Sequence, residues 1–146
     1  MRPDAFVKSL DDERIVAAIR EGEARSRGEI RVHVAEGEVK DAQSAAAVVF
    51  ERLGMAKTDE RNGVLLFVAP QSQAIAVVGD REIHARCPEG FWAAVAETIR
   101  DEFRAGRFSE GLVAGVGAVA DELARHFPRR SGATDRNELP DGVSRG

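Results

Sequence analysis

The sequence predicts an α/β domain in which helices cover a small mixed β-sheet. Three observations support this fold class. Ile30, Val32 and Val34 alternate with polar residues over Glu29–Ala35, which is typical of a strand with one buried face. Val64–Ala69 is apolar without interruption, which favours a central strand covered on both faces. The segments around these strands carry apolar residues at helical spacing, so we expect helices there.

The connections between the strands predict their directions. A helix capped by Asp41 and stopped at Gly54 separates the first two strands. Such a βαβ unit makes the two strands parallel, with a right-handed crossover. The loop Pro70–Gln73 is too short for a parallel return, so the next strand, Ala74–Gly79, forms an antiparallel hairpin. We therefore expect Val64–Ala69 to lie between the other two strands.

Helices account for the rest of the predicted domain. Ser9 is the expected N-cap of the first helix because acidic residues fill the turn after it, and Gly28 is the expected left-handed residue at its end. Three further helices are expected after the strands: Glu82–Cys87, a segment from Pro88 to Gly106, and Phe108–Phe127.

Composition and charge limit the class of protein. The chain has 146 residues, 43% hydrophobic and 32% charged, so we expect one soluble domain. The net charge of −4 does not favour nucleic-acid binding. Apolar runs fall far short of the roughly 20 residues of a membrane helix, and no signal peptide begins the chain. We therefore predict a cytoplasmic location without membrane insertion.

The charge pattern also predicts where the domain ends. Residues 1–128 carry the helix and strand patterns, whereas residues 129–146 hold seven charges, three glycines and no aromatic residue. We expect this last segment to be a flexible charged tail, because it offers no apolar periodicity to bury. Cys87 is the single cysteine, which excludes an intramolecular disulfide.

The predicted topology brings three points of the chain to one end of the sheet. The start of the first strand carries Glu29, the start of the second carries Arg61 and Asn62, and the exit of the third carries Asp80 and Arg81. Two strands on either side of a third lie about 10 Å apart, and side chains can span this distance. We expect Glu29 and Asp80 to be close together there and at least partly exposed.

These residue types suit two kinds of ligand. The oxygens of Glu29, Asn62 and Asp80 are ligands that hard cations such as Ca²⁺ and Mg²⁺ prefer. The guanidinium groups of nearby arginines suit a phosphate instead. The alternative is an ordinary set of salt bridges that closes the sheet, with no ligand. The arginines that could bind a phosphate are Arg31, Arg61 and Arg81.

An ordered series of segments resembles the TPM domain. Ser26–Val32 resembles its opening strand, and Asn62–Val68 followed by Ile75–Asp80 resembles its central hairpin. Phe91–Trp92 and Phe108–Leu112 resemble its later helices. The resemblance covers about Ile15 to Pro128.

Within that family, the chain most resembles the stand-alone bacterial branch, which often carries segments like Leu53–Met55 and Arg61–Gly63. The resemblance implies a three-layer α/β/α sandwich. It also implies links to acid phosphatase activity, to divalent metal binding, and to photosystem repair or receptor assembly. Many members carry an acidic residue where this chain has Arg61, so the chain lacks one metal ligand that the resemblance would imply.

His84 and Cys87 form a second candidate motif. At helical spacing they could supply two metal ligands, or a thiol with a neighbouring base. A zinc site needs four ligands, and only His33 and His126 remain as further histidines. The alternative is a partly buried structural thiol, which is the commoner role of a free cysteine.

Three functions remain open from the sequence. The first is a domain that binds a divalent cation, Ca²⁺ or Mg²⁺, or a protein partner at the sheet end, without secure catalysis. The second is a metal-assisted phosphomonoester hydrolase, in which Glu29 and Asp80 would be ligands or the general base and Arg31 or Arg81 would hold the phosphate. The third is a purely structural interaction module. No Walker, Gly-x-Ser-x-Gly or paired His–Asp motif is present, so no catalytic residue is predicted.

Overall fold

Four strands form one open sheet in a computed structural model of the chain, which describes residues 10–129 and 143–146. In chain order the strands are β1 (Glu29–Val34), β2 (Gly63–Ala69), β3 (Ala74–Gly79) and β4 (Val143–Arg145). Their order across the sheet is β3-β2-β1-β4. β1 is parallel to β2 and to β4, and β2 and β3 are antiparallel. The predicted central position of β2 and the directions of the three predicted strands are confirmed.

Five α-helices surround this sheet in the described part of the chain. They are α1 (Asp12–Ala24), α2 (Ala42–Arg52), α3 (Arg81–Arg86), α4 (Phe91–Arg104) and α5 (Phe108–His126). Short 3₁₀ turns at Met55–Lys57 and Pro70–Ser72 precede β2 and β3. No helix among the described residues combines the length and the apolar character that a bilayer crossing demands.

Two hydrophobic cores lie on opposite faces of the sheet. On one face, Ile30, Val32 and Val34 of β1 pack with apolar residues of α1, α4 and α5. On the other face, Leu65 and Phe67 of β2 pack with α2 and the 3₁₀ turn before β2. Every residue of β2 is buried, as its unbroken apolar sequence predicts. The molecule is a three-layer α/β/α sandwich.

The ends of α1 differ in detail from the sequence prediction. Asp11 is the N-cap, and its carboxylate accepts a hydrogen bond from the Arg14 backbone N–H; Ser9 lies outside the described residues. Gly28 does not adopt a left-handed conformation. A Cβ atom at Gly28 would lie only 2.5 Å from Leu123 Cδ2, so a glycine is needed there for close packing against α5.

The fourth strand was not predicted. It is formed by Val143–Arg145, from the segment expected to be a charged tail, and it pairs with Val32–Val34. Residues 130–142 of that segment lie outside the described residues. Three residues are too few to show a strand period in the sequence, and the side chains of β4 are only partly buried or exposed.

Candidate functional site

Backbone pairing brings the predicted site residues to one end of the sheet. Glu29 pairs with Gly63, and Val64 pairs with Gly79. The Asp80 backbone N–H then donates to the Gly63 carbonyl at 2.8 Å. Glu29, Asn62 and Asp80 therefore follow one another across β1, β2 and β3 at the same end, as the topology predicts.

Glu29 and Asp80 are both buried at this end. The exposed fraction is 5% for Glu29 and 6% for Asp80, so the expectation that they are partly exposed is wrong. A buried carboxylate is stable only when hydrogen bonds and opposite charge compensate for its lost hydration. The compensating partners determine what this end of the sheet can bind.

Arg61 neutralises the Asp80 carboxylate. Arg61 Nε donates to Asp80 Oδ2 at 2.7 Å, and its terminal nitrogen Nη2 donates to Oδ1 at 2.9 Å. This is the bidentate geometry in which a guanidinium binds a carboxylate most strongly. The hydrogen bond to Asp80 raises the pKa of Arg61 above its ordinary value. The ion pair therefore has a defined geometry, and its guanidinium stays protonated.

The backbone around this pair is ordered by the same residues. Asp80 is the N-cap of α3, because its Oδ1 also accepts the Arg81 backbone N–H at 2.8 Å. Arg61 has a left-handed backbone, with φ of 52°, and its carbonyl accepts the Glu82 N–H at 3.0 Å. The loop before β2 and the first turn of α3 are thereby held together by a side-chain ion pair and by a backbone hydrogen bond.

Asn62 ties the segment just before β1 to the same loop. Its side chain Nδ2 donates to the Arg27 carbonyl at 3.2 Å, and its backbone N–H donates to Thr58 Oγ1 at 3.3 Å. Asn62 is 1% exposed. The side chain of Asn62 thus links two chain segments through its amide nitrogen.

A second ion pair at this end was missed by the sequence analysis. Arg27 Nε and Nη2 donate to Glu60 Oε2 and Oε1 at 2.8 and 3.1 Å. The hydrogen bonds that Arg27 donates to Glu60 raise the pKa of Arg27. The observed pairing of Glu29 with Gly63 places Arg27 beside the residues just before Asn62, and no register that could have shown this was predicted from the sequence.

The side chains of the other two candidate arginines, Arg31 and Arg81, take no part in the two bidentate ion pairs described above. The Arg81 side chain is 66% exposed, and its Nε lies 3.6 Å from Glu82 Oε2. Arg31 lies on β1, and its Nε is buried with no hydrogen-bond partner among the described residues. Among the described residues, Arg61 binds the Asp80 carboxylate through its guanidinium group, whereas Arg81 contacts it through its backbone N–H.

One of the three predicted metal ligands, Asp80, is already bound to a cationic side chain. Both Asp80 oxygens already accept hydrogen bonds, two from the Arg61 guanidinium and one from the Arg81 backbone N–H. Within residues 10–129 and 143–146, no group of three or more His, Cys, Asp and Glu residues is arranged to hold a metal.

His84 and Cys87 do not act together. His84 Nδ1 accepts a hydrogen bond from Trp92 Nε1 at 2.9 Å, and the two rings stack. Burial, followed by the charge and hydrogen bond of Glu122, raises the pKa of the Cys87 thiol to about 12. Such a thiol is not a nucleophile at neutral pH, which supports the structural role for Cys87.

Trp92 also covers the exit of β3. A Cβ atom at Gly79 would lie 2.2 Å from the Trp92 ring, so the ring rests directly on the backbone before Asp80. The indole N–H is satisfied by His84, as a partly buried tryptophan requires. The sheet end is therefore closed by an aromatic ring next to the Arg61–Asp80 pair.

The fold and this closed end define a class of protein: an α/β/α sandwich domain whose polar sheet end is held by internal ion pairs. Comparison with known families finds that the TPM domain matches residues 3–122. The chain belongs to the TPM domain family. A comparison with curated protein sequences finds no match.

Two solved structures are similar to this chain. The NMR structure of the BA42 protein from the psychrophilic bacterium Bizionia argentinensis is 35% identical, with a TM-score of 0.83. That match covers 94% of this chain and 96% of BA42. The N-terminal domain of a P. gingivalis protein is 19% identical, with a TM-score of 0.59, and the match covers 78% of this chain and 76% of that one. This second likeness shows the fold alone.

Proposed function

We propose that this TPM domain is a non-catalytic binding module that engages a protein partner at the closed end of the sheet. The observation that carries the proposal is the bidentate Arg61–Asp80 ion pair. In this pair, the Asp80 carboxylate that a metal-dependent reaction would need is already bound to Arg61. The pair also holds the polar surface around it in one arrangement. A preorganised surface loses little conformational entropy when a partner binds.

The rim of this end is a fixed pattern of alternating charge. Arg27 and Glu60 are partly exposed, with side-chain exposures of 24% and 33%. Arg81 and Glu82 are more exposed, at 66% and 43%. Charges of both signs held at set positions favour a protein surface with the complementary pattern, because such complementarity gives specificity. A nucleic acid would call for a basic surface instead.

A composition-neutral charge swap tests the partner proposal. Arg81→Glu combined with Glu82→Arg inverts the pattern of the rim and leaves the net charge unchanged. The matched control is Asp101→Arg with Arg104→Asp, an exposed ion pair on α4. We expect in-cell crosslinking with quantitative mass spectrometry to recover the same partner with the wild type and the control, and to lose it with the rim swap. Equal recovery by both swaps would refute the proposal.

A divalent cation at the same end is the second candidate. It is favoured by the placement of Glu29, Asn62 and Asp80 at the ends of three neighbouring strands. Oxygen donors from several strands suit Ca²⁺ or Mg²⁺. Because Arg61 already neutralises Asp80, this candidate requires the guanidinium to leave, and metal titration of the wild type tests it.

Phosphomonoester hydrolysis is the third candidate, and it depends on the second. A cation would polarise a phosphoryl oxygen and activate water, and Arg31 or Arg81 would hold the phosphate. An assay with a chromogenic phosphomonoester and Mg²⁺ tests it directly. Our proposal predicts no turnover above that of an Asp80→Asn variant.

A further inference from the structure

The outer edge of β1 is occupied by a very short strand. β4 pairs with β1 over three positions, from Val32–Val143 to Val34–Arg145. The Gly146 N–H donates to the Val34 carbonyl at 3.2 Å, and the Gly146 carbonyl accepts the Glu36 N–H at 3.4 Å. By contrast, β2 and β3 pair over six positions. The edge of β1 is thus held by about four residues of chain.

The open length of this edge has a defined limit. The Glu23 carboxylate accepts the Ile30 backbone N–H at 2.8 Å, and both residues are buried. A side chain therefore takes the place of a neighbouring strand at Ile30. The part of the edge available to an extended segment runs from Val32 to Glu36.

Each residue of β4 contacts a different kind of group on the domain. Val143 packs against the core formed with α1, α4 and α5. The Ser144 hydroxyl lies 2.9 Å from His33 Nδ1 on the other face of the sheet. Arg145 forms an ion pair with Asp12, whose side chain is about half exposed. The resident segment therefore places an apolar residue, a hydroxyl and a cation in succession against the edge.

His33 makes the central position selective. Its Nε2 lies 3.1 Å from the Gly146 carbonyl, which can only accept, so the neutral ring carries its proton on Nε2. Nδ1 is then an acceptor and needs a donor. With residues 143–146 in place, His33 is fully buried and stacks on Phe67. Ser or Thr satisfies this position, whereas Ala or Val leaves Nδ1 without a donor.

The chain between Pro128 and Val143 is long enough to let the resident segment leave the edge. Pro128 bridges to Ser26, close to the start of β1, and Val143 pairs six residues farther on at Val32. Six extended residues span about 20 Å. The 13 residues between Arg129 and Val143 can reach about twice that length. The connection does not force β4 to stay on the edge.

We propose that the outer edge of β1 is a binding site for an extended segment of a partner protein that carries an apolar residue, Ser or Thr, and Lys or Arg in succession. The partner segment adds to the sheet as a parallel strand and replaces residues 143–146. Main-chain hydrogen bonds supply the pairing, and the three side-chain positions supply the specificity. The site is separate from the charged sheet end and does not depend on the function proposed for it.

Peptide binding to the full-length chain tests this site. The probe is the acetylated synthetic peptide Gly-Val-Ser-Arg-Gly, the sequence of residues 142–146. Val143→Asp removes the apolar anchor of the resident segment and frees the edge. We expect the peptide to shift the Val34 and Glu36 amide signals of this variant saturably in NMR, and to bind the wild type at least about tenfold more weakly, because the resident segment competes.

Matched peptides and variants separate this site from other modes of binding. Replacing the peptide serine by alanine should weaken binding about tenfold, because it leaves the His33 Nδ1 without a donor. Adding His33→Phe to the Val143→Asp variant should make the serine and alanine peptides bind equally. The Arg81→Glu, Glu82→Arg swap at the sheet end should leave binding unchanged. If Val143→Asp does not fold, Arg145→Glu frees the edge more gently and takes its place.

Three results would overturn the proposal. The first is equal peptide affinity for the wild type and the freed variant. The second is the absence of shifts at Val34 and Glu36 in the freed variant. The third is a wild-type dimer that forms with increasing concentration and disappears in Val143→Asp, because the occupant would then be a second copy of this chain and not a different protein.

Discussion

Arg61 and Asp80 join the loop before β2 to the start of α3 through two parallel hydrogen bonds of 2.7 and 2.9 Å. The Asp80 side chain is 6% exposed and the Arg61 side chain 32%. The pair thus consists of a buried carboxylate and a partly exposed guanidinium. This asymmetry makes Asp80 the residue on which stability depends and Arg61 the residue that a ligand would have to displace.

Asp80→Ala is expected to lower the free energy of unfolding by about 2–4 kcal/mol, because it removes an N-cap and leaves a gap beside the guanidinium of Arg61. Asp80→Asn should cost less, because the amide oxygen still caps α3. Asp101→Ala, at an exposed position of α4, is the control and should stay within about 0.5 kcal/mol of the wild type. Urea unfolding measures all three. Equal stabilities for Asp80→Ala and Asp101→Ala would contradict this account of the pair.

His33 gives the fold a defined pH dependence. Burial lowers its pKa, and the charges of Arg52 and Arg31 add to that effect against one hydrogen bond to Gly146. The unfolded chain, with a histidine pKa near 6.5, therefore binds more protons than the folded chain at mildly acidic pH. The stabilisation from neutral His33 is complete above about pH 6.5 and is lost as the pH falls below it.

The measurement is the melting temperature between pH 7.5 and 5 for the wild type and His33→Gln. The wild type should lose more stability than the variant over this range, and an NMR titration should give His33 a pKa below that of a histidine peptide. A His33 pKa above the peptide value would show that the sign is wrong.

Two glycines of α5 are expected to respond in opposite ways to the same substitution. A Cβ atom at Gly115 would lie 2.6 Å from Ile99 Cδ1, whereas a Cβ at Gly117 would meet nothing within 4 Å. Gly115→Ala should destabilise the domain by about 1–3 kcal/mol through overpacking. Gly117→Ala should stabilise it by up to about 1 kcal/mol through helix propensity. Thermal or urea unfolding of the two variants checks this, and a shared sign would contradict the packing described here.

Cys87 is expected to be an unreactive thiol. Its pKa of about 12 leaves little thiolate at pH 8, mainly because the side chain is buried and secondly because Glu122 is near. Labelling by a disulfide reagent at pH 8 should be slower than that of a cysteine peptide by about a hundredfold or more. Glu122→Gln should speed it up, and full unfolding in urea should restore the peptide rate. A native rate equal to the peptide rate would exclude the buried environment.

The sequence predicted most of the fold because the deciding signals are local. The unbroken apolar run of β2, the four-residue connection to β3 and the Asp41 cap each act within a few residues. β4 left no such signal, because its three residues pair with a strand more than 100 positions earlier. An edge strand this short is defined by the groups it meets, such as His33 and Asp12, and not by its own pattern.

The sequence predicted where the candidate site lies but not which of its side chains form ion pairs. Topology alone puts Glu29 and Asp80 at one end of the sheet. Which charges pair there depends on side chains far apart in sequence, such as Arg27 with Glu60 and Arg61 with Asp80. Charged residues are usually exposed, so burial of Asp80 could not be expected without knowledge of its partner.

Metal titration tests the central claim most directly, because the claim is that Arg61 occupies the place of a cation at the sheet end. The wild type and Arg61→Ala are titrated with Ca²⁺ and with Mg²⁺ to millimolar concentration while amide NMR spectra and melting temperatures are recorded. The account predicts no saturable shifts at Glu29, Asn62 and Asp80 and no added stability in the wild type. Saturable shifts at these residues in the wild type, with a rise in melting temperature that Asp80→Asn abolishes, would contradict it.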